Sequence, residues 1–456
     1  PGRENAMVHL LALVVPICGI LGLDPCPITP PPPYAITGVS VLPMDRERVL
    51  EGYTVIVRNG AIETLGPADK VSVPQDAVRI DGRGKYLIPG LTEMHTHLSP
   101  GAGDPGDGLG RQLRLALANG VTTLRGLVAP PGIIPIRDKV NSGAILGPTL
   151  YVAGPSLNGK SVPDPETGRR MVEDAKRQGY DLLKTHGGLT AESYDAIVAA
   201  AKATGLRLVG HVTQGYGLDR ALAAGQQVEH LDGYIAAALP AGVVAPDDQI
   251  IPDEIAAKVT SEGIRAIAEK TKKAGVWNGL TLAIFQVFAS GKSPAELAAA
   301  PEMMYVPAQT ISSWSDQMKT DAPGSLPVYL AVRDSIAVAL YRAGARLLVS
   351  GDAPQIFLVA GFGTHREMQA MVHAGIPTYA VLEAATRNAA EWLGRTDAGT
   401  IAPGKRADLV LLDANPLSDI TNASRIQGVM LRGVWFDRGA LDGMLVDVEK
   451  SAKGSN

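Results

Sequence analysis

Cysteine is nearly absent from this chain: 456 residues carry two, Cys18 and Cys26, both near the N-terminus. A thiolate metal site or a cysteine nucleophile in the body of the protein is thereby excluded. Aromatic residues are scarce, at 5%. Neither sign of charge is in excess. The net charge is −4 with no basic stripe, which argues against a nucleic-acid partner. A long uninterrupted hydrophobic run is also missing. The apolar stretch Val8 to Leu23 is broken by Pro16 and Gly19 and falls short of the ~20 residues of a membrane span. It reads better as a secretory signal peptide, although Arg3 is the only base ahead of it. What the chain does have is glycine (51) and proline (33). That balance suits a loop-rich α/β enzyme rather than a fibrous or disordered protein.

The most informative segment is Lys85-Tyr-Leu-Ile-Pro-Gly-Leu-Thr-Glu-Met-His-Thr-His-Leu98. Along a strand, residues i and i+2 share a face. His95 and His97 at a strand end therefore aim two imidazoles at one point, as a metal ion requires. Further possible ligands each close an apolar run of their own: Lys184 with His186 beyond it, His211, His230 and Asp352. Helical patterns such as Ala191 to Ala203 separate these runs. Strands alternating with helices imply a parallel sheet, and in a closed βα barrel the catalytic groups come from the C-terminal ends of several strands.

The expected fold class is α/β: a (β/α)8 TIM barrel with a small β-sandwich domain built from both chain ends. Residues 1–34 form the leader and a proline-rich linker. Residues 35–90 are the first β piece, in which Asn59-Gly60 between alternating runs signals a hairpin. The barrel spans 91–400, with strands reaching His97, Leu127, Ala153, Lys184, His211, His230, Leu282 and Asp352. The long connection 283–345 reads as a lid over the site. Residues 401–445 complete the sandwich, and 446–456 form a flexible tail. Tyr234, Tyr305 and Trp314 are the candidate substrate-binding residues, because pockets for organic substrates are mostly apolar.

Taken together, Leu87-Ile-Pro-Gly-Leu-Thr-Glu-Met-His-Thr-His97, Gly120-Val-Thr-Thr-Leu-Arg125, Lys184, His211, Glu229-His230, Ser350-Gly-Asp-Ala-Pro354, Ala384 to Ala390 and Gly404-Lys-Arg-Ala-Asp-Leu-Val410 carry a family likeness. The chain resembles the amidohydrolase superfamily. It looks most like the imidazolonepropionase-like branch, with metal-dependent dipeptidases and ochratoxin-hydrolysing amidases. The resemblance implies two divalent metal ions, zinc being the expected element. His95, His97 and Asp352 would hold one ion, and His211 and His230 the other. Lys184 would bridge them as a carbamate formed with carbon dioxide. An ordinary ammonium has no lone pair to offer a cation, so a lysine aimed at two ions must be modified or neutral. Asp352 would act as general acid/base toward a hydroxide held between the ions. His186 is a second catalytic candidate or supports the metal ligands from behind.

The implied reaction is hydrolysis of an amide bond in a dipeptide or an N-acyl amino acid. Carbamates, esters (lactones among them) and ochratoxin-type amides suit the same centre. The family often shows Asp where Gly126 stands, which implies a different contact beside the second barrel strand. The compact segment between Lys184 and His211 argues against ochratoxin. A mononuclear deaminase would lack the bridging lysine, and a non-catalytic scaffold would show eroded ligands. The expected partner is a small-molecule substrate in a homo-oligomeric enzyme. The leader points to a periplasmic or secreted protein, and without it to a cytoplasmic one.

Overall fold

The computed structural model describes residues 32–246 and 249–454. The signal-peptide expectation and both cysteines lie outside the described residues. Five strands open the chain: β1 (Tyr34–Val41), β2 (Leu50–Arg58), β3 (Ala61–Pro67), β4 (Val78–Asp81) and β5 (Tyr86–Pro89). The hairpin turn Asn59-Gly60 falls between β2 and β3, with both residues at positive φ (51° and 79°). Such a turn matches the twist of the strands it joins.

Eight short strands follow: β6 (Leu91–His97), β7 (Val121–Val128), β8 (Thr149–Val152), β9 (Leu182–Thr185), β10 (Arg207–Gly210), β11 (Gln227–Glu229), β12 (Trp277–Gly279) and β13 (Arg346–Leu348). They pair in parallel as two arcs, β6-β7-β8 and β9-β10-β11-β12-β13. Parallel bridges Ala153↔Leu182 and Leu157↔Thr185 span the gap after β8. Bridge Thr96↔Ala353 spans the gap between β6 and the chain beyond β13. The fold is thus mixed α/β with helices between successive parallel strands. The intervening helices carry clear stop and start signals. Pro165–Gln178 begins with Asp164 accepting from the Thr167 amide at 2.8 Å and ends at Gly179 with φ 84°. Both devices satisfy backbone groups that a helix end leaves unpaired.

Strands β14 (Leu409–Leu412), β15 (Ile426–Leu431) and β16 (Val434–Asp437) return to the first five. β14 lies antiparallel to β5, pairing Leu409 with Pro89 and Leu412 with Tyr86. The pairing gives one continuous eight-stranded sheet built from both chain ends. β5 joins the two chain ends directly, pairing with β1 on one side and β14 on the other. Alternation divides its faces: Leu87, Leu409 and Leu411 enter a core local to this sheet, whereas Ile88, Val410 and Leu412 enter the main core.

The expected flexible tail is corrected. Arg438–Gly454 is a helix, and Leu441, Val448 and Ala452 are buried on one side of it. The long connection after β12 is helical, with Leu282–Ala289, Pro294–Ala298, Ala308–Asp321 and Pro327–Ala343 as its main segments. Among the described residues no helix is long and apolar enough to cross a membrane.

Candidate metal centre

The candidate ligands sit at or just beyond the C-terminal ends of the parallel strands. His95 and His97 end β6, Lys184 is the third residue of β9, and His211 and His230 directly follow β10 and β11. Asp352 comes four residues after β13. Its amide donates to the His95 carbonyl at 2.9 Å, and the His97 amide donates to the Ala353 carbonyl at 3.1 Å. These bonds draw the β13 end onto β6. Asp352 and His230 both adopt positive φ, at 56° and 64°. Non-glycine residues accept that conformation only where the surroundings impose it.

The side chains converge. His95 Nε2 and His97 Nε2 lie 3.2 and 3.1 Å from Asp352 Oδ1. His230 Nδ1 lies 3.7 Å from Asp352 Oδ2, and Lys184 Nζ lies 3.4 Å from His95 Nε2. The rings continue the cluster: His95 to His230 at 4.9 Å, His230 to His211 at 4.4 Å, His211 to His186 at 5.0 Å. His95, His97 and Asp352 offer ligand atoms within 4.8 Å of one another, a grouping that could hold a metal ion.

Three outer contacts orient these rings. His95 Nδ1 meets Glu229 Oε2 at 2.9 Å, His211 Nδ1 meets Asp232 Oδ2 at 2.8 Å, and His230 Nδ1 meets Thr281 Oγ1 at 3.0 Å. A ring held at Nδ1 keeps Nε2 free as a ligand, and metal-binding histidines are commonly fixed this way. His230 Nε2 is buried without a hydrogen-bond partner. Burial pushes the His95 and His230 pKa values well below the ordinary imidazole value, with the Lys184 charge adding to the effect. Neutral rings with free nitrogens suit a cation. Burial likewise lowers the Lys184 amine to about 8, which makes the free amine accessible near neutrality. The donor set therefore fits a divalent metal.

Beneath the cluster lies a charged layer that sequence reasoning missed. Arg125 and Glu229 are both fully buried and meet at 2.9 Å. Arg125 also donates to the Met94 carbonyl at 2.5 Å and to Gln227 Oε1 at 2.6 Å, and stacks 4.3 Å above Trp392. Burial raises Glu229 to about 7 against the pull of Arg125 and Lys184. Glu93 accepts from the amides of His95 (2.9 Å) and Gly351 (2.7 Å) and from Thr364 (2.7 Å). A Cβ on Gly279 would come within 2.1 Å of Glu229 Oε2, so only glycine fits there. The signal was available in part. Gln227 and Glu229 alternate onto one face of β11, and Glu93 and His95 onto one face of β6.

A cavity of about 720 Å³ opens over the cluster, with His97, His186, His211, His230 and Asp352 in its floor. Ile284, Phe285 and Phe288 of helix Leu282–Ala289 form part of its wall. The three aromatics expected to contact substrate do not line it. Tyr234 is buried and donates to Asn278 at 2.7 Å. Tyr305 stacks on Phe362, and Trp314 packs edge-on against Phe357. These rings contribute to packing, while Phe285 and Phe288 face the cavity. His186 does line it, with Nδ1 2.7 Å from Ser156 Oγ.

Comparison with known proteins agrees with this arrangement. The model of the amidohydrolase family matches residues 86–436. Imidazolonepropionase of Geobacillus kaustophilus (strain HTA426) is 24% identical over 420 residues, 83% of this chain and 89% of that protein. Among solved structures, the bottromycin amidohydrolase AH superposes with a TM-score of 0.70 at 23% identity, covering 92% of this chain and 91% of its own. A Xaa-Pro dipeptidase with methionine bound in its active site superposes with a TM-score of 0.64 at 20% identity, covering 89% and 100%. The chain belongs to the amidohydrolase family. It is a hydrolase acting on carbon–nitrogen bonds.

Proposed function

We propose that this protein is a binuclear metal-dependent amidohydrolase that cleaves an amide bond in a dipeptide or N-acyl amino acid. The observation carrying this reading is the meeting of His95, His97 and His230 at the Asp352 carboxylate, with buried Lys184 beside them. On this reading the two strand arcs close as a (β/α)8 barrel, and the ring of strand ends forms the site. His95, His97 and Asp352 would hold one ion, His211 and His230 the other, with carboxylated Lys184 between them. Zinc suits this nitrogen and oxygen set. Bound divalent ions would acidify a water and polarise the scissile carbonyl.

The chain's own groups supply the rest. Asp352 accepts the proton released from the attacking water and returns it to the leaving nitrogen as the C–N bond breaks. Glu229, Asp232 and Thr281 hold three imidazoles with Nε2 inward. His186 faces the cavity on its Ser156 anchor and positions substrate there. Helix Leu282–Ala289 covers the site as part of a lid and excludes water through Phe285 and Phe288. The test is a panel of dipeptides, N-acyl amino acids, carbamates and esters offered to metal-loaded enzyme. Amide turnover that disappears on chelation and returns with zinc supports the assignment. Turnover confined to esters or carbamates would replace it.

A further inference from the structure

A second cavity, of about 770 Å³, lies beside the one over the metal cluster. The two share three wall residues: His186, His211 and Gln249. The second cavity extends away from the cluster between apolar side chains, among them Val212, Leu218, Ile235, Ile251 and Ile267. Its charged groups are already engaged. Lys270 pairs with Asp219 at 2.5 Å, and Arg333 donates to the carbonyls of His230 and Leu280. The lining is mixed, with polar side chains such as Thr213, Gln214 and Asp232 among the apolar ones, and a cleft with apolar walls and some polar groups is the usual form of a small-molecule subsite.

Gln249 is weakly held in this wall. Its amide nitrogen lies 3.0 Å from His211 Nδ1 and 3.5 Å from Asp232 Oδ1. When His211 Nδ1–H donates to Asp232 at 2.8 Å, that nitrogen has no lone pair left for Gln249. The side chain is exposed, whereas its backbone carbonyl accepts from Tyr329 at 2.8 Å. The backbone is therefore pinned and the side chain can swing. Moving it would join the two chambers next to His211.

We propose that the second cavity is a substrate subsite for a bulky apolar arm, aryl or medium-chain aliphatic, with Gln249 as the movable partition. This rests on the hydrolase reading above and specifies the substrate it takes: an amide with one large apolar substituent. Small amides would use the chamber over the metals alone.

The experiment fills the chamber from its exposed side. Ala236 and Ala237 line it and are solvent-exposed, so a large side chain at either position leaves the core untouched. Ala236→Trp and Ala237→Trp, singly and together, are compared with wild type on amides whose substituent grows from methyl to benzyl and octyl. Metal content and circular dichroism are checked in parallel. The expected result is a loss of kcat/KM of about tenfold or more for the bulky members, with methyl-sized members unchanged. Gln249→Ala should shift relative rates toward the bulky members. Equal effects on small and large amides, in variants with full metal, overturn the subsite and leave the hydrolase reading intact. A wild type inactive on every amide overturns both.

Discussion

Glu229→Gln isolates the layer beneath the metal cluster. The carboxylate receives His95 Nδ1 on one oxygen and Arg125 on the other, each at 2.9 Å, and all three residues are fully buried. A glutamine has one carbonyl oxygen for these two donors. Either its NH2 faces the Arg125 guanidinium, or it faces His95 and reverses the tautomer, which turns an Nε2–H toward the cluster. In either case the buried Arg125 cation loses its counter-ion, at a cost of about 3–5 kcal/mol. In the second, metal affinity falls by about 10–100-fold, the usual effect of losing a ligand's outer partner. The assays are urea denaturation of the metal-free protein and metal affinity by competition with a chromogenic chelator. Replacing the cation as well, in Glu229→Gln/Arg125→Met, should recover part of the stability but not the metal affinity. Wild-type stability and wild-type metal affinity in Glu229→Gln would refute the argument that this pair orients His95.

Three further outcomes follow from the same geometry. Asp352→Asn retains an oxygen for metal but cannot carry a proton, so turnover should fall about 10²–10⁴-fold. An amide should lose more than a matched activated ester, because its amine leaves poorly unprotonated; near wild-type amide hydrolysis with full metal would move the proton role to His186. Lys184→Ala should lose most bound metal and activity, with partial rescue by short carboxylic acids at high concentration; wild-type metal content would remove Lys184 from the centre. The pH dependence of stability sets the buried histidines against buried glutamates. His186 is lowered to about 2, and His95 and His230 well below the ordinary value, mainly by burial. The unfolded chain takes up protons on these rings below ~6.5 while the folded chain does not. These rings therefore cost the metal-free protein stability as pH drops through 6.5, by up to ~1.4 kcal/mol per pH unit each, whereas buried Glu93 and Glu229, raised to about 7, and Glu367, raised to about 8, add stability as pH falls through those values. Histidine ring chemical shifts of the metal-free protein, followed from pH 8 to 5, check the rings directly, and titration of His95, His186 and His230 near 6.5 would contradict their neutral state.

The strand-end cluster was legible because alternation and apolar run length are local signals. Each of His95, His97, Lys184, His211, His230 and Asp352 closes a short run, and the structure gathers them. The supporting layer was legible only in part, because Arg125 and Glu229 are far apart in sequence and meet only when the fold brings β7 and β11 together. The aromatic expectation failed for a different reason. Scarce rings in a lid segment look like substrate contacts, but Tyr305 and Trp314 find Phe362 and Phe357 as packing partners. The C-terminal helix was missed because its charged composition hid the spacing of Leu441, Val448 and Ala452, which fall seven and eleven residues apart on one helical face.

Metal stoichiometry tests the central claim most directly. Enzyme prepared with zinc and bicarbonate should contain two ions per chain, and amide hydrolysis should rise in proportion as the second ion is restored to stripped protein. Full amide hydrolysis at a stable one ion per chain would contradict the binuclear account, and full hydrolysis after complete removal of metal would contradict a metal centre at His95, His97 and Asp352 altogether.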